Sequence, residues 1–128
     1  MQDLEAIAQA AWRSLPATRL EAYLELARKA RDLHDPFSAE TIYRRAILEA
    51  RTVREAVRVA EVVFLSWGAE DDRYFRPMKR QLIEHALSTA IELSDSIAEL
   101  SWIGEKAEWM VAREAQGEIA RRLEHLPA

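Results

Sequence analysis

The sequence predicts an all-α protein in which antiparallel helix pairs are stacked as a short solenoid or packed as a helical bundle. Apolar residues recur at spacings of three and four along almost the whole chain, and no stretch alternates with the two-residue period of a strand. Hydrophobic residues make up 49% and charged residues 31% of the chain, a composition that favours a compact fold over disorder. The length of 128 residues supports one core, so we predict a single domain spanning 1–128.

Seven helices are predicted, with bounds at 3–14, 18–33, 36–50, 52–67, 77–92, 94–108 and 110–125. Most connections between them are short, which favours antiparallel neighbours. The first helix is short and rich in alanine, so its Trp12 either caps the core or contacts a second subunit. The second combines an apolar face with a charged face and is expected to be half buried.

Several helix starts are marked by capping residues. Thr18, Thr52 and Ser96 each precede a glutamate by three positions, the spacing at which a hydroxyl and a carboxylate satisfy the amides of a first turn. Asp35 before Pro36 marks another start, because proline at the first helical position lacks an amide that would be unpaired anyway.

Two helical regions differ from the rest. The helix at 52–67 is apolar nearly all round, apart from a narrow charged stripe, so we predict that it lies in the middle of the fold. Over 94–125 the helical pattern is interrupted by Gly104 and Gly117, which lack turn-forming neighbours. This region fits either two helices or one long bent helix.

An internal repeat links the four central helices. Those at 18–33 and 52–67 share apolar positions at an offset of 34 residues, whereas those at 36–50 and 77–92 share them at an offset of 40. About six residues are therefore inserted between the two helices of the second unit. The first unit carries small and aromatic residues at characteristic positions: Tyr23, Leu26, Ala27, Ala39, Tyr43 and Ala46. In this pattern the chain resembles the tetratricopeptide repeat, and the resemblance implies a TPR-like stack with an inner groove that holds partner segments.

The resemblance also implies that the first helix of each pair lines this groove. Arg28 and Arg31 lie a turn apart on one such helix, and Arg58 lies on the next. Together they are candidates for binding an acidic peptide or a C-terminal carboxylate through charge-assisted hydrogen bonds. The alternative is a solvated face with ion pairs worth under about 1 kcal/mol each. The expected partners in that case are Glu25, Asp32 and Glu61.

The insertion at 68–77 is a second candidate contact surface. Three acids are followed by two adjacent aromatic residues set between arginines. We expect Tyr74 and Phe75 to lie on an inserted loop, with one ring folded back over the preceding helix because exposed aromatic rings are costly in water. The other ring, flanked by Arg73 and Arg76, is the best single candidate for contact with another protein, since such residues are enriched at binding hot spots.

The sequence holds no recognisable set of catalytic or metal-binding residues. It has no cysteine, and its three glycines form neither a phosphate-binding loop nor a dinucleotide fingerprint. His34, His85 and His125 lack the spacing that places two metal ligands on one helix face. We therefore predict no enzymatic activity, no cofactor and no metal.

The function predicted from these observations is a cytoplasmic adaptor or scaffold that binds another protein. No apolar run approaches the length of a bilayer span, and nothing marks the chain as secreted. One alternative is self-association, in which the acidic C-terminal third of one copy meets the basic middle of another. Another is regulatory nucleic-acid binding, although the net charge is −4 and glutamates interrupt the basic region. The residues of that basic region are Arg44, Arg45, Arg51, Arg54 and Arg58.

Overall fold

A computed structural model describes residues 16–33, 35–66 and 75–125. Within these ranges the chain forms helices and no strand, which confirms the all-α prediction. The helices are α1 (Pro16–Asp32), α2 (Pro36–Glu49), α3 (Val53–Ser66), α4 (Phe75–Leu93), α5 (Ile97–Trp109) and α6 (Arg113–Glu124). The predicted helix at 3–14, with Trp12, lies outside the described residues.

The six helices pack as three consecutive pairs, which confirms the predicted pairing. The most extensive contacts join α1 to α2, α3 to α4, and α5 to α6. Adjacent pairs contact one another helix by helix, α1 with α3 and α3 with α5 on one side, α2 with α4 and α4 with α6 on the other. We call the layer of α1, α3 and α5 the first-helix face. We call the end where α1, α3 and α5 finish and their partners begin the hairpin end.

The core is centred on α3 and α4, each of which contacts four other helices. Alanines with no exposed surface lie where helices approach one another, because a methyl group lets two backbones come close: Ala27, Ala39, Ala46, Ala56, Ala60, Ala86 and Ala90. The central position predicted for the helix at 52–67 is confirmed for α3. Its C-terminal end is less buried than the rest, since Leu65 is 70% exposed and Phe64 is half buried.

A buried tyrosine fixes the end of α3 against α2. The hydroxyl of Tyr43 lies 2.9 Å from that of Ser66, and Ser66 itself donates to the carbonyl oxygen of Val62. Since a serine hydroxyl has one proton, Tyr43 is the donor to Ser66. Burial raises the pKa of Tyr43, so the phenol stays protonated and keeps this donor.

Predicted helix starts are confirmed at three positions. The amide of Glu55 donates to Thr52 Oγ1 and that of Glu99 to Ser96 Oγ, both at 3.1 Å. Asp35 accepts from the amide and the hydroxyl of Ser38, and these hydrogen bonds hold the pKa of the Asp35 carboxyl below its ordinary value. The start predicted at Thr18 is wrong, because α1 begins at Pro16.

The start of α4 is also earlier than predicted. The helix begins at Phe75, so Phe75 and Arg76 belong to α4 and the prediction that Phe75 lies on a loop is wrong. Pro77 is then the third helical residue, a position where its missing amide removes no intrahelical hydrogen bond.

The region 94–125 is two helices joined by a tight turn. The amide of Ala112 donates to Ala107 O at 2.8 Å and that of Val111 to Glu108 O at 3.1 Å, the hydrogen bonds of a Schellman motif. Val111 adopts the left-handed conformation that this motif requires, with φ 56°, at a position usually occupied by glycine. Gly104 lies inside α5 instead, where an added Cβ would meet Ile119 of α6 at 3.8 Å.

Candidate functional site

Ion pairs connect the helices of the first-helix face. The guanidinium of Arg58 on α3 donates to Glu21 on α1, at 3.1 Å and 3.3 Å. One turn further along α3, Glu61 accepts from Lys106 on α5 at 3.1 Å. Arg58 therefore pairs with Glu21 and not with Glu61, the partner considered for it in the alternative of a solvated face. These contacts link three helices side by side.

The other two arginines predicted for the groove also lie beside carboxylates. Arg28 is 2.5 Å from Glu25 on the same helix, and this hydrogen bond lowers the pKa of the Glu25 carboxyl. Arg31 lies 3.8 Å from Asp32. The side chains of Arg28 and Glu25 are each about half exposed. The arrangement of all three arginines is that of a solvated, paired face.

Most arginines of the basic region considered for nucleic-acid binding also lie next to carboxylates. Arg44 donates to Glu40 through two nitrogens, at 2.8 Å and 3.0 Å, and Arg45 lies 3.4 Å from Glu49. With Arg58 already paired to Glu21, three of its five arginines have a carboxylate neighbour.

The start of α4 differs from both of these regions. A recess of about 220 Å³ lies between the C-terminal end of α3, the first two turns of α4 and the turn before α6. We call it the α4 cleft. The basic residues along it are Arg76, Lys79 and Arg80. Its apolar lining includes Phe64, Ile83 and Met110, of which Ile83 and Met110 are 5% exposed.

Phe64, which lines the α4 cleft, forms an aromatic pair with Trp109. The rings of Phe64 and Trp109 lie 4.8 Å apart, tilted by 53°. The ammonium group of Lys79 lies 5.4 Å from the centre of the Phe64 ring, within range of a cation–π interaction. The Trp109 side chain is 51% exposed and that of Val111 is 60% exposed, so apolar surface continues from the recess to solvent.

Glu84 also lines the α4 cleft, but its carboxylate is hydrogen-bonded to the start of α6. Glu84 follows Arg80 by four residues, a spacing that allows an ion pair on one helix. Its two oxygens instead accept from the backbone amides of Glu114 at 2.9 Å and Ala115 at 3.0 Å, at the start of α6. The first amides of a helix need an acceptor from outside the helix. Ala112, the residue before α6, has no side-chain acceptor, so the Glu84 carboxylate satisfies these amides instead.

Arg76 and Arg80 are therefore left as neighbouring positive charges. Among the described residues, no carboxylate lies within 4.0 Å of either guanidinium, in contrast to Arg28 and Arg58. Both are exposed and lie in the first two turns of α4, where the helix dipole disfavours cations. The two guanidinium groups, which no described carboxylate pairs with directly, thus favour an additional anionic group at the cleft.

The structure brings together some of the residues predicted for the 68–77 contact surface. Arg76 lines the α4 cleft and Phe75 begins the helix that carries it, whereas Arg73 and Tyr74 lie outside the described residues. Lys79 and Arg80 were missed, although they fall three and four positions after Arg76 and so share its helix face. Nothing in the sequence indicates the contact of Phe64 with Trp109.

Two further searches concern the described ranges only. Histidine and carboxylate side chains there form no group of three or more that would hold a metal ion. No helix in this part of the chain combines the length and the apolar composition needed to cross a bilayer. Compared with protein-family models, with curated proteins and with solved structures, the chain gives no match.

Proposed function

We propose that this chain is a small cytoplasmic adaptor, without enzymatic activity, that binds another protein at its hairpin end. The observation that carries the proposal is the α4 cleft, where Arg76 and Arg80 border an apolar recess. Aromatic and arginine side chains beside a pocket are the usual anchors of a protein interface. A rigid helical stack would present them with little ordering cost on binding.

Exposed apolar side chains at the hairpin end support the same surface. Five of the large hydrophobic residues that are more than half exposed lie at or next to helix termini of the hairpin end: Leu33, Phe37, Leu65, Trp109 and Val111. Apolar surface that remains exposed beside a charged rim is typical of an interaction site.

The paired packing is also what a tetratricopeptide-like adaptor would need. First helices contact first helices and second helices contact second helices, as in a stack whose units repeat. We propose that the chain works in this manner, with the difference that binding uses the hairpin end and not the first-helix face. On this proposal, the first-helix face is stabilised and kept hydrated by the ion pairs of Arg28, Arg31 and Arg58.

Site-specific photo-crosslinking in the native cell tests the proposal. Leu65 at the hairpin end and Leu48 near the opposite end are 70% and 71% exposed, so a benzoylphenylalanine placed at either position reports on a different end at equal exposure. We expect position 65 to give a discrete crosslinked protein that position 48 does not. Equal crosslinking at both positions, or none at 65, would contradict the proposal.

Two alternatives are separated by simple measurements. Self-association would raise the sedimentation coefficient with protein concentration and lower it with salt, since it would join oppositely charged regions. Nucleic-acid binding would show an affinity for oligonucleotides that falls steeply with salt. The carboxylate neighbours of Arg44, Arg45 and Arg58 make the latter the weaker candidate.

A further inference from the structure

We infer that the partner of the α4 cleft is a peptide segment in which carboxylates flank one large apolar side chain. This inference rests on the proposed function and specifies the chemistry of the partner. The apolar side chain would enter the recess, and the carboxylates would meet the arginines along its rim.

Charge complementarity selects the acidic part of such a segment. Arg76 and Arg80 are one helical turn apart on the same face of α4, so two carboxylates of an extended segment can each accept from one guanidinium. The nearest carboxylate along the helix, Glu84, is held by the amides of α6. A basic partner would meet repulsion at this rim, and a neutral one would leave both charges without an anion.

The size and lining of the recess select the apolar part. An internal cavity of about 150 Å³ accommodates benzene, so the 220 Å³ recess has room for a single leucine or phenylalanine side chain. Ile83 and Met110 would form its floor, and the exposed face of Trp109 would lie next to the bound segment. Methionine adapts to differently shaped side chains, which suits a site that accepts more than one apolar residue.

A nucleic acid fits the cleft less well. A protein that binds duplex DNA can make on the order of 6–10 phosphate contacts, whereas the arginines of this cleft are Arg76 and Arg80. Base stacking needs an open aromatic face, and since the Phe64 ring is already in contact with Trp109 and Lys79, the exposed face of Trp109 is what remains for a base at this site. A net charge of −4 adds repulsion at longer range.

The test is selection of random dodecapeptides displayed on phage against the full chain, followed by affinity measurements on the selected peptides. We expect the enriched sequences to place two or more Asp or Glu residues around a Leu, Phe or Trp. The selected peptide should lose affinity at least about tenfold for the Arg80→Glu variant, because a charge-assisted contact becomes a repulsion. Replacing its apolar residue by Ala should have a similar effect.

A matched control is available at the opposite end of the stack. Arg54, in the first turn of α3, is exposed and, like Arg80, has no described carboxylate within 4.0 Å. The Arg54→Glu variant should bind the selected peptide within about twofold of the original chain, because its charge lies far from the cleft. Circular dichroism and melting curves of both variants show whether each remains folded.

Each contrary outcome overturns the inference in a recognisable way. Peptides without acidic residues, or binding insensitive to Arg80→Glu, would reject it while leaving the adaptor proposal intact if crosslinking at position 65 still succeeds. Single-stranded oligonucleotide binding that is lost in the Arg80→Glu variant would assign the cleft to nucleic acid. Self-association lost in that variant would assign it to a second copy of the chain.

The connection before α4 provides one more competing occupant, since its sequence contains Glu70, Asp71 and Asp72. If replacing these three acids with amides lowers the melting temperature, and Arg80→Glu lowers it by a similar amount, the arginines already pair with the chain's own carboxylates and the inference is wrong. If neither change lowers it, the cations are held for another molecule, as inferred.

Discussion

Arg28 and Arg58 on the first-helix face are exposed, as are Arg76 and Arg80 at the α4 cleft. The two groups differ in the carboxylates that lie next to them. Arg58 reaches across to Glu21 on a neighbouring helix, and Arg28 lies against Glu25. Arg76 and Arg80 have no such neighbour among the described residues, although a glutamate follows Arg80 at a suitable spacing. The difference shows that charge spacing along a helix does not by itself decide which charges are compensated.

Glu84 explains this difference. On α2, Arg44 and Glu40 are four residues apart and form an ion pair. On α4, Arg80 and Glu84 have the same separation in the opposite order, but the carboxylate binds the start of α6. Tertiary packing therefore gives the Glu84 carboxylate a structural role at the start of α6, although Glu84 still lines the cleft.

The largest effect is expected from Glu84→Ala. Removing the carboxylate leaves the amides of Glu114 and Ala115 without their acceptor, so the free energy of unfolding should fall by about 2–3 kcal/mol. Chemical denaturation measures the change. Glu92→Ala on the exposed side of the same helix is the control and should cost under about 0.5 kcal/mol. Equal costs for the two variants would remove the structural role assigned to Glu84.

The turn beside the cleft should be stabilised by Val111→Gly. The left-handed conformation costs an L-residue about 1–2 kcal/mol, and the side chain that would be lost is mostly exposed. After allowing for the greater chain entropy of glycine, we expect a gain of about 0.5–1 kcal/mol in the melting experiment. Val111→Ala keeps the backbone strain and should gain nothing. A loss of stability with glycine would show that the Val111 side chain makes a needed contact.

Charge reversal should separate the two arginine groups by stability. Arg58→Glu puts two carboxylates together at the contact between α1 and α3, so we expect a loss of about 0.5–1 kcal/mol, reduced by solvent screening. Arg80→Glu should leave stability unchanged or slightly raised, because an acid is favoured near a helix start. A larger loss of stability for Arg80→Glu than for Arg58→Glu would contradict this prediction.

The smallest effect is a difference in acid sensitivity. Hydrogen bonds from Arg28 lower the pKa of Glu25, and those from Arg121 and Arg122 lower that of Glu118. Such carboxyls stabilise the fold when ionised, and this contribution is lost as pH falls through their folded pKa values, below the ordinary value of 4.5. The melting temperature should therefore decline below about pH 4.5, and less steeply in a Glu118→Gln variant. An identical decline in both proteins would contradict the assignment.

The fold could be predicted from the sequence where the determining interactions are local. The caps at Thr52 and Ser96 involve residues three apart, and the apolar spacing of α3 predicts its central position without knowledge of its neighbours. Helix pairing followed from the short connections. Helical spacing could likewise have added Lys79 and Arg80 to the predicted contact surface, because they lie on the same helix face as Arg76.

The α4 cleft could not be predicted in full, because its parts come from distant positions. Phe64 and Trp109 meet only after the second and third helix pairs have packed, and no local pattern marks Val111 as the left-handed residue of a turn. The spacing of Arg80 and Glu84 suggests an ion pair that the amides of α6 prevent. Local patterns therefore predicted the helices, while the compensation of charge depended on tertiary contacts.

We expect positive electrostatic potential to be concentrated at the α4 cleft and to be compensated by carboxylates on the first-helix face. Relaxation enhancement of backbone amide protons by an anionic and a cationic paramagnetic co-solute measures this potential residue by residue, without a partner. We predict the strongest preference for the anionic co-solute at Arg76 and Arg80 and a markedly weaker one at Arg28 and Arg58. An equal or stronger preference at Arg28 and Arg58 would contradict the account.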